Sequence, residues 1–104
     1  MTTLELSSIA ACSLDPDSAA RRAADFRALL GPNLRARERD GPAVVLELSL
    51  GVRGERVLTE LLRLEQECCP FFAFRLDFLG AHVELTVRAP EQAQPLVDAL
   101  FGTP

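Results

Sequence analysis

The feature that most constrains the fold is an internal repeat. Pro32 and Pro70 lie 38 residues apart, and Gly41, Val44, Leu46 and Leu48 recur 39 residues later as Gly80, Val83, Leu85 and Val87. Each copy reads as an amphipathic helix followed by two alternating strands around a glycine turn, and a last apolar stretch closes the pattern. A helix with one apolar stripe and a strand with alternate apolar positions bury those sides by stacking in two layers. The expected fold is therefore α+β: two αββ repeats plus a C-terminal helix, with helices on one face of an antiparallel sheet of four to five strands. A fifth strand at residues 1–10, where Leu4 and Leu6 alternate with polar neighbours, would make this two-layer sandwich a relative of the ferredoxin-like arrangement. The 104 residues fit a single domain, 1–104, large enough to bury a core without covalent help.

The element boundaries follow from local chemistry. Asp15-Pro16-Asp17 starts a helix, with Asp15 as N-cap and Pro16 at the first helical position. Ala19, Ala23, Phe26 and Leu30 then share a face until Gly31-Pro32 ends the helix near Leu30. Two runs, Leu34 to Arg39 and Ala43 to Leu50, flank Asp40-Gly41-Pro42. Keeping apolar beside apolar predicts a three-residue loop that pairs Leu34 with Leu48, Ala36 with Leu46 and Arg35 with Glu47. A second helix, from about Glu55 to Cys68, lines up Val57, Leu61, Leu64 and Cys68 with Leu58 and Leu62 beside them, and Pro70 stops it. A two-residue turn at Gly80-Ala81 places Phe78 beside Val83, Leu76 beside Leu85 and Phe74 beside Val87, all facing the core. A last helix begins near Pro90, buries Ala93, Leu96, Val97, Leu100 and Phe101, and stops at Gly102; Pro95 is expected to distort or delay its first turn.

Composition narrows the class of protein. Hydrophobic residues make up 48% and charged residues 25%, ordinary for a soluble globular chain, and the short apolar runs leave no membrane-spanning segment. All 11 basic residues are arginine, against 15 acids, so the net charge of −4 disfavours nucleic acid as the main partner. Arg35, Arg37, Arg39, Arg75 and Arg88 take the non-core parity of the predicted sheet, but Glu47, Asp77 and Glu84 interleave with them and no stacking aromatics share that face. It reads as a solvated, salt-bridged surface, with a homodimer contact as the second reading.

Chemistry, if present, centres on sulfur. Cys68 and Cys69 are adjacent, and Cys12 is the only other cysteine. Neighbouring Cα atoms lie about 3.8 Å apart, short of the roughly 4.4 to 6.8 Å of a relaxed disulfide, so the pair reads as thiols. Odd cysteine count and the lack of a signal peptide point to a reducing cytosol, hence a cytoplasmic protein. Adjacent thiolates suit soft metals such as Hg(II), Cu(I), Zn(II) or As(III), and Cys12 would complete a three-sulfur site. Glu65 and Glu67 at a helix C-terminus create negative potential, which raises a thiol's pKa but attracts a cation, favouring metal capture over thiol catalysis.

Bland readings stand beside this one. By the repeat Cys68 matches Leu30, a core position, whereas Cys69 matches Gly31, where a thiol has no packing role. Whether Cys12 joins the pair depends on the relative direction of the first two helices, which the sequence leaves open. His82 has solvent-side parity, Glu65 and Glu67 read first as solvated helix residues, and Phe71 and Phe72 as core and shield. No P-loop, GxGxxG, HExxH or CxxC is present. A non-catalytic interaction or dimerisation module with structural cysteines is the main alternative; a small thiol enzyme is disfavoured because no base is evident near the cysteines.

Ile9-Ala10-Ala11-Cys12-Ser13-Leu14, Glu67-Cys68-Cys69-Pro70-Phe71-Phe72-Ala73-Phe74 and Val97-Asp98-Ala99-Leu100-Phe101-Gly102 together resemble a group of short, mostly uncharacterised bacterial proteins. That group has a cysteine before the first helix, a Glu-Cys-Cys-x-Phe core and a terminal Leu-Phe-Gly, and some members are encoded near heavy-metal resistance regulators. The resemblance implies mercury or a related soft metal and treats Cys12, Cys68 and Cys69 as one set; it names no reaction.

Overall fold

In the computed structural model, which describes residues 16–102, helix α1 (Pro16–Asn33) leads into strands β1 (Leu34–Asp40) and β2 (Ala43–Leu48). Helix α2 (Gly51–Cys68) precedes β3 (Ala73–Leu79) and β4 (His82–Arg88), and a 3₁₀ turn (Glu91–Ala93) opens helix α3 (Gln94–Phe101). The α+β order αββαββα is thus present. The predicted N-terminal strand, the Asp15 cap and Cys12 lie outside the described residues.

Helix α1 outruns its predicted end by three residues. Proline disfavours the helical region for the residue before it mainly through that residue's Cβ, and here that residue is Gly31, so Pro32 is accommodated in the last turn. Asn33 then closes the helix by donating its side-chain amide to the Leu29 carbonyl at 2.7 Å. Helix α2 starts four residues before its predicted start because Gly51 adopts φ 75°, a left-handed conformation open to glycine at little cost. Helix α3 is delayed as expected: Pro95 occupies its first turn, where a missing N–H costs little, and the 3₁₀ turn fills the gap.

The core stripe of α2 is rotated from the line of Val57, Leu61, Leu64 and Cys68 toward Leu58 and Leu62, which were expected beside it. Leu58, Leu61, Leu62 and Glu65 are the buried residues, at spacings of three, one and three, whereas Val57 is exposed. Continuing that stripe by four residues reaches Cys69, not Cys68.

The sheet has the order β1-β2-β4-β3, with each pairing antiparallel. The four described strands contain no split parallel βαβ pair of the ferredoxin-like kind. The β3–β4 hairpin has the predicted register, Phe78 with Val83, Leu76 with Leu85 and Phe74 with Val87. Phe78 is nevertheless 63% exposed, so five of those six residues contribute to the interior.

The first hairpin corrects its prediction. Asp40 pairs with Ala43 around a two-residue Gly41-Pro42 turn, and a bulge at Arg35 separates the Leu34–Leu48 pair from Ala36–Glu47 and Arg37–Leu46. One extra residue in one strand reverses the parity of everything beyond it. Arg37 and Arg39 therefore sit on the helix side of β1. Arg39 reaches α3, bonding Asp98 at 3.0 Å and Gln94, and the Arg37 guanidinium lies against Gly102. The outer face keeps the predicted salt-bridged character, with Arg35–Glu47 at 3.7 Å and Arg75–Asp77 at 3.1 Å.

The sequence repeat has a geometric meaning. β2 and β4 are the central strands and meet with Val44 opposite Val87, Leu46 opposite Leu85 and Leu48 opposite Val83. Equivalent strands of the two αββ units therefore face each other about a pseudo-two-fold axis. Over them pack Phe26 and Leu30 of α1, Leu58 and Leu62 of α2, and Val97 and Phe101 of α3.

Two hydrogen bonds orient α1 against α2. Ser49 N–H, at the entrance of α2, donates to the carbonyl of Asn33, the last residue of α1, at 2.9 Å. Arg22, in the first half of α1, bonds Glu65 in the last turn of α2 at 3.2 Å. The helices are antiparallel, so the start of α1 and the end of α2 share one end of the domain. This settles the direction that the sequence left open.

Candidate functional site

Cys68 is the last residue of α2 and Cys69 is its C-cap, with φ −129° and ψ 78°. The Cys69 N–H remains in the helical pattern, donating to the Glu65 carbonyl at 2.7 Å, while its own carbonyl accepts from Phe72 N–H at 3.1 Å. The chain thus leaves the helix and reverses within Cys69-Pro70-Phe71-Phe72, with Pro70 at the turn position that its ring favours. The Gln66 side-chain amide donates to the Phe72 carbonyl and holds the turn against the helix.

This turn delivers the two sulfur-bearing residues to different depths. Cys69 is 1% exposed and belongs to the main core cluster, while Cys68 is half-buried and packs against that cluster. The burial order expected from the repeat is therefore reversed, for the reason given by the rotated stripe. Around them lies an aromatic group: Phe72 contacts Phe71 at 4.8 Å and Phe74 at 5.4 Å between centroids, and Phe101 bridges to Phe26 at 5.0 Å. Phe72 is buried, as its predicted role as core and shield requires.

The redox state differs from the sequence expectation. Cys69 is disulfide-bonded, and Cys68 is not part of the bridge. A bridged sulfur is not a thiolate, so any metal set that includes Cys69 belongs to the reduced protein.

The electrostatics also change. Glu65 is a buried charge, 3% exposed, paired with the Arg22 guanidinium at 3.2 Å. Burial pushes its carboxyl pKa up, and Arg22 opposes that shift. Glu67 is exposed and bonded to Arg63 at 3.1 Å. Both carboxylates are thus balanced by arginines, and the negative potential at this end comes from the helix carbonyls, with no basic residue in the last turn of α2. Sequence reasoning placed Glu65 among the solvated residues; its spacing of three from Leu62 and seven from Leu58 was the signal that it belongs to the buried stripe.

His82 does not join the site. It lies at the other end of the seven-residue β3–β4 hairpin, about 20 Å along the strands by the usual rise per residue, with Nε2 3.7 Å from Glu47. Among the described residues no group of three or more His, Cys, Asp or Glu side chains could hold a metal ion. A three-sulfur site thus requires Cys12, which lies outside them. Among the described residues no helix is long and apolar enough to cross a membrane. No family model, curated protein or solved structure matches this chain.

Proposed function

We propose that the reduced protein binds a soft metal ion, of the Hg(II), Cu(I), Zn(II) or As(III) class, through Cys68 and Cys69 with Cys12 as third sulfur ligand. In this reading it acts in the cytoplasm as a scavenger, chaperone or sensor module. The observation that carries the reading is the placement of two consecutive cysteines at the end of α2, one inside the core cluster and one packed on its surface. Thiolate ligands lose their protons to the metal, whose charge stabilises the sulfurs in a partly dry setting that would disfavour the bare anions. The phenylalanines around the site limit water access, and the carbonyl end of the α2 dipole favours a cation.

Titration of the reduced protein with Hg(II), followed by sulfur-to-metal charge-transfer absorption in the ultraviolet, tests this. The expected result is a band that saturates at one equivalent and is lost in the Cys68→Ser, Cys69→Ser double variant. No band at stoichiometric metal, or an unchanged band in the double variant, removes the reading.

A further inference from the structure

The two rims of the described sheet differ in chemistry. β1 carries Arg35, Arg37, Glu38, Arg39 and Asp40 and a bulge, devices by which sheet edges resist pairing with another chain. β3, at the opposite rim, keeps unbroken register with β4 along Ala73-Phe74-Arg75-Leu76-Asp77-Phe78-Leu79, and among the described strands it pairs with β4 alone. In a two-residue hairpin the residues flanking the turn bond each other, and bonding then alternates along an antiparallel ladder. Leu79, Asp77, Arg75 and Ala73 thus direct their backbone polar groups to β4, and Phe78, Leu76 and Phe74 direct theirs outward along the rim. The same rim exposes apolar surface, since Phe78 is 63% and Leu79 48% exposed. Phe78 and the exposed Val52 of α2 line an open groove of about 400 Å³ with Glu55, Arg56, Thr59 and Glu60.

The β3 sequence is complementary to its own reverse. Turned about Leu76, it sets Phe74 opposite Phe78, Ala73 opposite Leu79 and Arg75 opposite Asp77. We propose that a second copy of this chain pairs with β3 edge to edge, antiparallel about a two-fold axis at Leu76, so that two four-stranded sheets join into one. The pairing is isologous and keeps the helices of both copies on one face. Leu76 exchanges backbone bonds with its own counterpart, and by the alternation Phe74 does so with Phe78, so the outward-directed groups of the rim are the ones satisfied. On the helix side, Phe74 of the second copy meets Phe78 and covers its exposed ring. On the outer face, Arg75 and Asp77 are bonded within the chain at 3.1 Å and meet Asp77 and Arg75 of the second copy, which closes a network of alternating charge. Register is fixed by the same charges: a slip of two residues sets Arg75 against Arg75 or Asp77 against Asp77, and like charges directly opposite are destabilising. This interface involves none of the cysteines and is independent of the metal-binding reading.

Sedimentation equilibrium of the full chain in dithiothreitol, over a range of protein concentrations, tests the proposal; the expected result is a monomer–dimer equilibrium. Asp77→Arg sets arginine against arginine across the axis, and Arg75→Asp sets aspartate against aspartate. Both side chains lie on the outer face, outside the core cluster, so each variant is expected to keep the wild-type circular dichroism spectrum. Each alone is expected to weaken dimerisation about tenfold or more, because attractive cross-strand pairs become repulsive. An equal mixture of the two variants regains opposite charges at both positions and is expected to associate as tightly as the wild type. The double variant Arg75→Asp, Asp77→Arg is likewise expected to recover self-association. A wild-type chain that stays monomeric overturns the proposal, including the case in which another segment of the chain takes the β3 rim. A dimer unchanged by either single substitution also overturns it and places the contact elsewhere, such as the arginine-bearing outer face. Loss of the dimer in the single variants without recovery in the mixture overturns the register about Leu76.

Discussion

Glu65 is the residue whose environment departs furthest from its sequence expectation. A carboxylate that is almost fully buried is tolerated because Arg22 supplies charge and a hydrogen bond. Removing that partner with Arg22→Gln leaves an uncompensated buried acid, which is expected to cost about 3 kcal/mol near neutral pH. The pH dependence has a definite sign. Burial raises the Glu65 pKa and Arg22 lowers it, so the variant's carboxyl titrates higher still. The stability associated with the protonated carboxyl is fully present below the ordinary carboxylate range and is lost as pH rises through the raised folded value. Denaturant unfolding at pH 4 and pH 8 should therefore show a small deficit at pH 4 and the full deficit at pH 8; a deficit independent of pH would mean that Glu65 is not the cause. The fate of Cys68 and Cys69 was half legible at this scale. Pro70 announced the break after the helix, but which sulfur turns inward depended on the rotation of the stripe, and equal hydrophobicity at Val57 and Leu58 left that rotation open.

At the level of elements, the second hairpin was readable because its strands alternate strictly and its turn is a glycine dipeptide. The first was not, because the bulge at Arg35 has no sequence signature: Leu34, Ala36 and the three arginines satisfy either parity about equally well. The paired arginines were decided by tertiary context, since Arg39 finds Asp98 and Gln94 on α3, 59 and 55 residues away by sequence and invisible to local pattern. The start of α2 was missed because Gly51 and Gly54 are poor helix formers, yet each has a local reason. Gly51 sits at φ 75°, and a Cβ at Gly54 would lie 2.9 Å from Leu50 Cβ. Gly51→Ala is expected to destabilise the protein by about 1–2 kcal/mol, the cost of a left-handed conformation for an L residue, read as a lower denaturation midpoint with unchanged slope. An unchanged midpoint would show that the first turn of α2 relaxes freely.

For the whole molecule, the repeat was the most informative sequence feature, and the structure gives it a physical basis: two αββ units joined through β2 and β4 bury one continuous core that neither unit could bury alone. The site belongs to the asymmetry of that arrangement. The first unit ends its helix with Leu30-Gly31-Pro32 and the second with Cys68-Cys69-Pro70, so the second copy carries sulfur at the two positions preceding the shared proline. Antiparallel α1 and α2 then bring the start of α1, the first described helix, to that same end. The account stands on sulfur ligation at this end of the domain, and X-ray absorption at the metal edge of the reduced, Hg(II)-loaded protein measures it most directly. It predicts a shell of three sulfurs that loses one with each of Cys12→Ser, Cys68→Ser and Cys69→Ser; a shell containing nitrogen or oxygen in place of sulfur, or one unaffected by these substitutions, would contradict it.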